Sequence, residues 1–243
     1  MKAMIFSAGF GKRLLPITAN IPKALVTIKR RPILDWIIKF LIQSGIDEII
    51  INTHYLADQV ESFIHRKKYK IPITCIYESE LLGTGGGLYN TRKKWGQDNI
   101  YICNVDILCD FDLKTFFNFH LAGKCKITLA VNNFQSTSML LIDEQGYLCG
   151  WEQEGKQSIY HKPNGMVCRK GFCGIQFFNP ILFEQMQTPP FESIVTQYME
   201  WVKAGIQINT WSIGDRFWID IGTPVSLKQA EQSFNGYGNY SPS

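Results

Sequence analysis

Four times between Lys2 and Asn132 a short apolar run gives way to a stretch of helical period, and that alternation narrows the fold more than any other feature. KAMIFSA (2–8) reads as a strand and PILDWIIKFLIQSG (32–45) as a helix, with Pro32 in its first turn and Gly45 as its stop. DEIIINTHY (47–55) and LADQVESFIHRKK (56–68) repeat the pattern. ITCIYES (73–79), a Gly-rich turn and a helix through Trp95 follow, then NIYICNVDI (99–107), DLKTFFNFHLAG (112–123) and the strand KITLAVN (126–132). Parallel strands need crossovers of this length, so the expected class is α/β: a mixed, mostly parallel sheet with helices on both faces. In such sheets ligands bind at the carboxyl ends of the strands.

The second half changes character. MLLIDEQGYLCGWEQE (139–154) reads as a hairpin turning at Glu144-Gln145-Gly146, and KGFCGIQFF (170–178) as a strand. FESIVTQYMEWVKAG (191–205) reads as a helix. INTWSIG and RFWIDIG read as two strands around a Gly214-Asp215 turn, and PVSLKQAEQSF (224–234) as a closing helix. The tail, 235–243, is expected to be frayed. The reading is one domain over 1–243, with a nucleotide-binding half (1–133) and a half for the second substrate (134–234).

The segment after the first strand carries the chemistry. SAGFGKRLLPITANIPKAL (7–25) holds two close glycines, Lys12, Arg13, two prolines and Lys23, and the first acid of the chain is Asp35. Glycines let backbone N–H groups approach a phosphate, and the cations add full charges to it. A Walker A loop needs Gly-Lys followed by Ser or Thr, and the dinucleotide fingerprint needs a third glycine. Leu14 breaks both patterns. Pro16 and Pro22 are expected to keep this loop extended until Pro32. The net charge is only +4, yet residues 1–34 hold Lys2, Lys12, Arg13, Lys23, Lys29, Arg30 and Arg31 with no acid. One local basic zone suggests a single anionic ligand rather than a nucleic-acid surface.

These residues resemble the sugar-1-phosphate nucleotidyltransferases. The signature of that family, Gly-x-Gly-x-Arg-Leu-x-Pro-x-Thr and then Pro-Lys, stands here as Gly9-Phe-Gly11-Lys-Arg13-Leu14-Leu-Pro16-Ile-Thr18 and Pro22-Lys23. Glu80-Leu-Leu-Gly83-Thr84-Gly85-Gly86-Gly87 resembles the family's second glycine turn, Asn104-Val-Asp106 its first metal segment, and Trp218-Ile-Asp220-Ile-Gly222-Thr223 its second. Valine before Asp106 departs from the usual glycine. The likeness runs from Lys2 to about Ser233 and is similar to short members that use N-acetylmuramate, mannose or heptose 1-phosphates.

The resemblance implies a Rossmann-like nucleotide-diphospho-sugar transferase fold and an NTP and a sugar 1-phosphate as partners. It implies a cytoplasmic, magnesium-dependent enzyme of nucleotide-sugar supply for cell-envelope polysaccharide, as monomer or homodimer. Arg13 and Lys23 would be catalytic, with Ala8, Gly9, Gly11, Lys12, Arg13, Gly83, Thr84, Gly85 and Asn104 at the nucleotide. Asp106 and Asp220 would hold Mg²⁺, and Lys162, Gly174 and Glu192 would face the sugar phosphate, with Lys170 as the competing cation. A cytidylyltransferase for phosphocholine shares the loop and metal pair and is the alternative.

Other features take plainer readings. Asp110 and Asp112 sit where they would cap the helix starting near Leu113, and His54, His65 and His120 lack metal spacing. Seven cysteines without metal spacing read as reduced core residues of a cytosolic protein. No apolar run is long enough for a membrane span, and no signal peptide is recognisable.

Overall fold

The structure is a computed structural model that describes residues 1–186 and 193–237. In chain order its strands are β1 (Lys2–Phe6), β2 (Thr27–Ile28), β3 (Arg31–Pro32), β4 (Glu48–Thr53), β5 (Ile73–Tyr77), β6 (Ile100–Asn104) and β7 (Ile107–Cys109). Then come β8 (Ile127–Asn132), β9 (Ser138–Asp143), β10 (Leu148–Gln153), β11 (Lys156–Ile159), β12 (Val167–Phe178), β13 (Asn209–Ser212) and β14 (Trp218–Asp220). The helices are α1 (Ile33–Gln43), α2 (Ala57–Lys67), α3 (Gly83–Asn90), α4 (Leu113–Ala122), α5 (Ile194–Lys203) and α6 (Pro224–Ser233). Packing gathers them into two units. Unit 1 comprises Met1–Leu81, Ile102–Phe111 and the chain from Phe217; unit 2 comprises Leu82–Tyr101 and Asp112–Arg216.

In unit 1 the strands lie in the order β6, β1, β4, β5. β1 pairs in parallel with β4, Lys2 opposite Glu48, and β4 in parallel with β5, Ile49 opposite Ile73. Ala3, Met4 and Ile5, and Ile49, Ile50 and Ile51, are buried in unbroken runs, as strands covered on both faces must be. α1 buries Ile33, Leu34, Ile37, Ile38 and Leu41 along one stripe. β7 and β14 form a separate antiparallel ladder that sets Asp220 opposite Ile107. Pro224 in the first turn and a reciprocal Thr223–Ser226 cap start α6.

Unit 2 carries the antiparallel part of the mixed sheet. β9 and β10 form the hairpin expected at Glu144–Gly146, β11 extends it, and β12 pairs with both β9 and β8. β13 runs parallel to β8, Thr210 opposite Leu129. Its core is aromatic: Phe116 stacks on Trp211 at 4.8 Å and leans on Phe177 at 4.9 Å. His120 lies flat against Phe177, bonds Thr128 Oγ1 at 2.8 Å and belongs to this core. Asp112 caps α4 by accepting the Lys114 N–H, as its position suggested.

Three expectations are corrected. INTWSIG and RFWIDIG are not two arms of one hairpin, because β13 pairs with β8 in unit 2 and β14 with β7 in unit 1. The glycines after Leu82 are not a turn ahead of a helix; they are the first turns of α3, with Gly85, Gly86 and Gly87 buried in it. The tail is not frayed from 235, because the Tyr237 ring stacks on Phe40 at 4.6 Å and meets Phe234 at 5.2 Å.

Candidate active site

The first loop leaves β1 at Phe6 and does not stay extended. It folds into three single turns of 3-10 helix, Lys12–Leu14, Ile17–Ala19 and Lys23–Leu25. Buried Leu14, Thr18 and Ala24 pin these turns, and Tyr55 donates its hydroxyl to the Thr18 and Ala19 carbonyls at 3.1 and 2.8 Å. Gly11 is required twice over. Its φ is +66°, and a Cβ there would stand 3.0 Å from Thr18 Cγ2 and 3.3 Å from Lys23 Cβ. The Thr18 hydroxyl donates to the Gly11 carbonyl at 2.8 Å, which ties the two ends of the loop together. Ala8 is buried beneath the loop, and Gly9 stands clear, with open space where a Cβ would be.

Two carboxylates face this loop within unit 1. Asp106 follows Asn104 at the end of β6, and Asp220 ends β14. The Ile221 N–H donates to the Asp106 carbonyl at 2.9 Å and holds the two segments side by side. The Lys23 ammonium contacts Asp106 Oδ2, Arg13 Nη2 lies 3.5 Å from Asp220 Oδ2, and the Gly222 N–H donates to Asp220 Oδ1 at 2.6 Å. Burial, then the neighbouring Asp106 charge, pushes the Asp220 carboxyl above its ordinary range, against the pull of the Gly222 N–H, Lys23 and Arg13. A cavity of about 370 Å³ opens here, lined by Phe10, Gly11, Lys12, Arg13, Lys23, Leu81 and Gly222. Among the described residues no third His, Cys, Asp or Glu joins the two aspartates in a metal-binding group.

The basic zone at residues 1–34 is not one site. Lys2 pairs with Glu48 at 2.7 Å, only Lys12, Arg13 and Lys23 line the cavity, and Arg31 turns to Asp35. One support of the loop escaped the sequence reading. Asn52 on β4 is buried; its Oδ1 accepts the Ser7 N–H at 2.9 Å, and its Nδ2 donates to Glu78 Oε1 at 2.7 Å. His54 Nδ1 bonds the Glu78 carbonyl at 2.8 Å, and its ring meets Phe10 edge-on at 5.4 Å. The legible signal was a polar Asn inside the apolar strand DEIIINTHY.

The remaining expected residues lie in unit 2. Gly83, Thr84 and Gly85 open α3, where the Thr84 hydroxyl accepts the Ile194 N–H at 2.8 Å and so fastens the start of α5. Gly174 sits in β12 with φ +69°, inside the register break between Phe172 and Gln176. Lys162 is exposed in the loop before β12, while Lys170 donates to Asn133 Oδ1 at 2.6 Å. Glu192 lies outside the described residues.

The family model described as nucleotidyl transferase matches residues 2–235 of this chain. The chain belongs to that family. It is 28% identical over 240 residues to a D-glycero-alpha-D-manno-heptose 1-phosphate guanylyltransferase from Aneurinibacillus thermoaerophilus, covering 98% of this chain and 100% of that one. It is 29% identical over 229 residues to the catalytic subunit beta of a mannose-1-phosphate guanylyltransferase from Xenopus tropicalis, covering 92% of this chain and 62% of the longer relative. The crystal structure of HddC from Yersinia pseudotuberculosis superposes with a TM-score of 0.80 at 22% identity, over 96% of this chain and 99% of that one, which shows a shared fold. Among the described residues no helix is long and apolar enough to cross a membrane.

Proposed function

We propose that this chain joins an NTP to a sugar 1-phosphate, releasing pyrophosphate and forming a nucleotide sugar. The observation that carries this is the cavity lined by Lys12, Arg13 and Lys23, two of which reach carboxylates, Lys23 that of Asp106 and Arg13 that of Asp220. In the reaction a phosphate oxygen of the sugar 1-phosphate attacks the α-phosphorus of the NTP. The bond from that phosphorus to the oxygen bridging to the β-phosphorus breaks, and pyrophosphate leaves with the electron pair. Two anions must meet, so charge neutralisation and positioning supply most of the rate. Backbone N–H groups along Ala8, Gly9 and Gly11, with Lys12 and Arg13, hold the β- and γ-phosphates. Lys23 serves the α-phosphate, where negative charge grows.

The aspartate pair fits a magnesium ion. Two adjacent carboxylates, one raised by burial and then by the other, gain from a shared cation, and Mg²⁺ takes one or two carboxylates and completes its shell with water and phosphate oxygens. Asp106 and Asp220 would hold it, and when bound it would neutralise charge on the reacting phosphates. Lys23 and Arg13, which reach these carboxylates in the structure, are the cations that would face the phosphates.

Asn104 at the end of β6 and the α3 residues Gly83, Thr84 and Gly85 serve the nucleoside, and Lys162, Gly174 and Glu192 the acceptor. For Lys162 the support is an exposed ammonium with no ion pair among the described residues. The names of the relatives favour GTP with a manno-configured hexose or heptose 1-phosphate. We read the chain as one catalytic domain of a reducing, cytosolic compartment, in keeping with its seven free cysteines. The test is pyrophosphate release with each NTP crossed against mannose, heptose, glucose and N-acetylmuramate 1-phosphates and phosphocholine. Release with GTP and a manno-configured phosphate is expected. Release with CTP and phosphocholine alone would overturn the sugar assignment.

A further inference from the structure

Unit 1 holds a second concentration of positive charge that shares no residue with the catalytic cavity. Its centre is Asp35, whose side chain is fully buried on α1. The Tyr69 hydroxyl donates to Asp35 Oδ1 at 2.6 Å, while Arg31, Lys39 and Lys67 each place a nitrogen 3.4–3.5 Å from Oδ2. One carboxylate thus pins two basic runs, 29–31 and 66–70, side by side. Lys29 and Arg30 form the tip of the β2–β3 turn, both at positive φ, and Lys68 closes α2 in the same left-handed conformation. Lys29, Arg30, Arg66, Lys68 and Lys70 are exposed.

The chain's net positive charge lies on this face. The two runs and Lys39 supply eight of the chain's 25 cations. Three of its 21 acids meet them: Asp35; Glu231, which accepts the Lys29 N–H at 2.8 Å; and Glu61, which lines the adjoining cavity. The patch therefore stands at +5 and the rest of the chain at −1. The adjoining cavity, of about 480 Å³, has Ile64, Ile71 and Ile73 in its walls and Lys68 and Tyr69 at the junction with the patch. Trp36 is covered by the Arg31 guanidinium, 4.1 Å from its ring, and is not free to stack on a base.

We propose that this face docks on a bilayer rich in anionic phospholipid, the cations taking headgroup phosphates and the isoleucine-walled cavity taking apolar chain. Clusters of four to eight Lys and Arg at such a surface add roughly 1 kcal/mol of attraction each. An apolar cavity beside the cations suits an amphiphile better than the uniform polyanion of a nucleic acid.

The test is co-sedimentation of the whole chain with phosphatidylcholine vesicles with and without about 30% phosphatidylglycerol. Binding is expected only to the anionic vesicles, and is expected to vanish in about 0.5 M NaCl. The triple variant Arg30→Ala, Lys68→Ala, Lys70→Ala is expected to partition about 100-fold more weakly. Its pyrophosphate release should stay at the parent rate, which also reports that it folds. No binding by the parent, equal binding to neutral vesicles, or unchanged binding by the triple variant overturns the proposal. Tighter binding to a duplex DNA oligonucleotide than to vesicles overturns it as well.

Discussion

Truncating Asn52 to alanine removes two bonds from one buried side chain. Asn52 is 2% exposed, and so is Glu78. Without the amide, the Ser7 N–H loses its acceptor at 2.9 Å and the Glu78 carboxylate loses a donor at 2.7 Å. A buried amide left unpaired costs about 1–3 kcal/mol, and loss of a hydrogen bond to a charged group about 1.5–3. Some of both is recovered by local relaxation, so Asn52→Ala is expected to lower unfolding stability by about 2–5 kcal/mol. That is a large fraction of the roughly 5–15 kcal/mol of an ordinary fold. Urea unfolding followed by tryptophan fluorescence reads it, with an unchanged slope against denaturant showing that compactness is unaltered. Asn52→Asp sharpens the test, because it keeps an acceptor for Ser7 but sets a second carboxylate against Glu78. A loss below about 1 kcal/mol in both variants would refute the idea that this pair braces the start of the loop.

At Gly222 an added Cβ would stand 2.5 Å from Arg13 Nη2 and 2.7 Å from Asp220 Oδ1. Gly222→Ala is therefore expected to cut turnover at least about 10-fold while shifting stability by less than about 1 kcal/mol, read as kcat beside a melting curve. His120 is held neutral by burial and by Lys126, with its pKa pushed down to about 4. Its ordinary value is about 6.5, so the unfolded chain binds the extra proton between those values and stability falls as pH drops through that window. Between pH 7 and 4.5 the parent should lose about 2–3 kcal/mol more than His120→Gln, measured by urea unfolding at both pH values. Chelation should abolish pyrophosphate release and added Mg²⁺ restore it. The melting temperature without substrate should change little, because Lys23 and Arg13 already offset part of the aspartates' charge in the absence of metal.

What the sequence disclosed follows from how local each signal is. The alternation of unbroken apolar runs with helical stripes needs only a window of residues, and β1, α1, β4 and α2 appear where it placed them. Gly11, Lys12, Arg13 and Lys23 stood out because phosphate chemistry asks for glycine and cations in one loop, and the structure sets all four around one cavity, with Arg13 and Lys23 reaching Asp220 and Asp106. Pairing choices were not legible. β13 and β14 are separated by a turn that suits a hairpin, yet Trp211 stacks on Phe116 and draws β13 beside β8, while β14 is taken by β7. The run Gly83–Gly87 carries turn propensity, and its burial in α3 overrides that preference. The Asn52–Glu78 bond joins residues 26 apart, and the Asp35 cluster joins Arg31 to Lys67. Such distant polar pairs leave no periodic trace.

Product analysis by liquid chromatography and mass spectrometry, with the parent, Lys23→Ala and Asp106→Asn side by side, tests nucleotidyl transfer at this site most directly. The parent should form one nucleotide sugar per pyrophosphate, only when NTP and sugar 1-phosphate are both present. Both variants should remain folded by circular dichroism and lose at least about 100-fold in rate, the scale of removing a group that meets charge in the transition state. A nucleotide sugar formed at near-parent rate by folded Asp106→Asn, or nucleoside monophosphate released by the parent in place of a nucleotide sugar, would contradict the assignment.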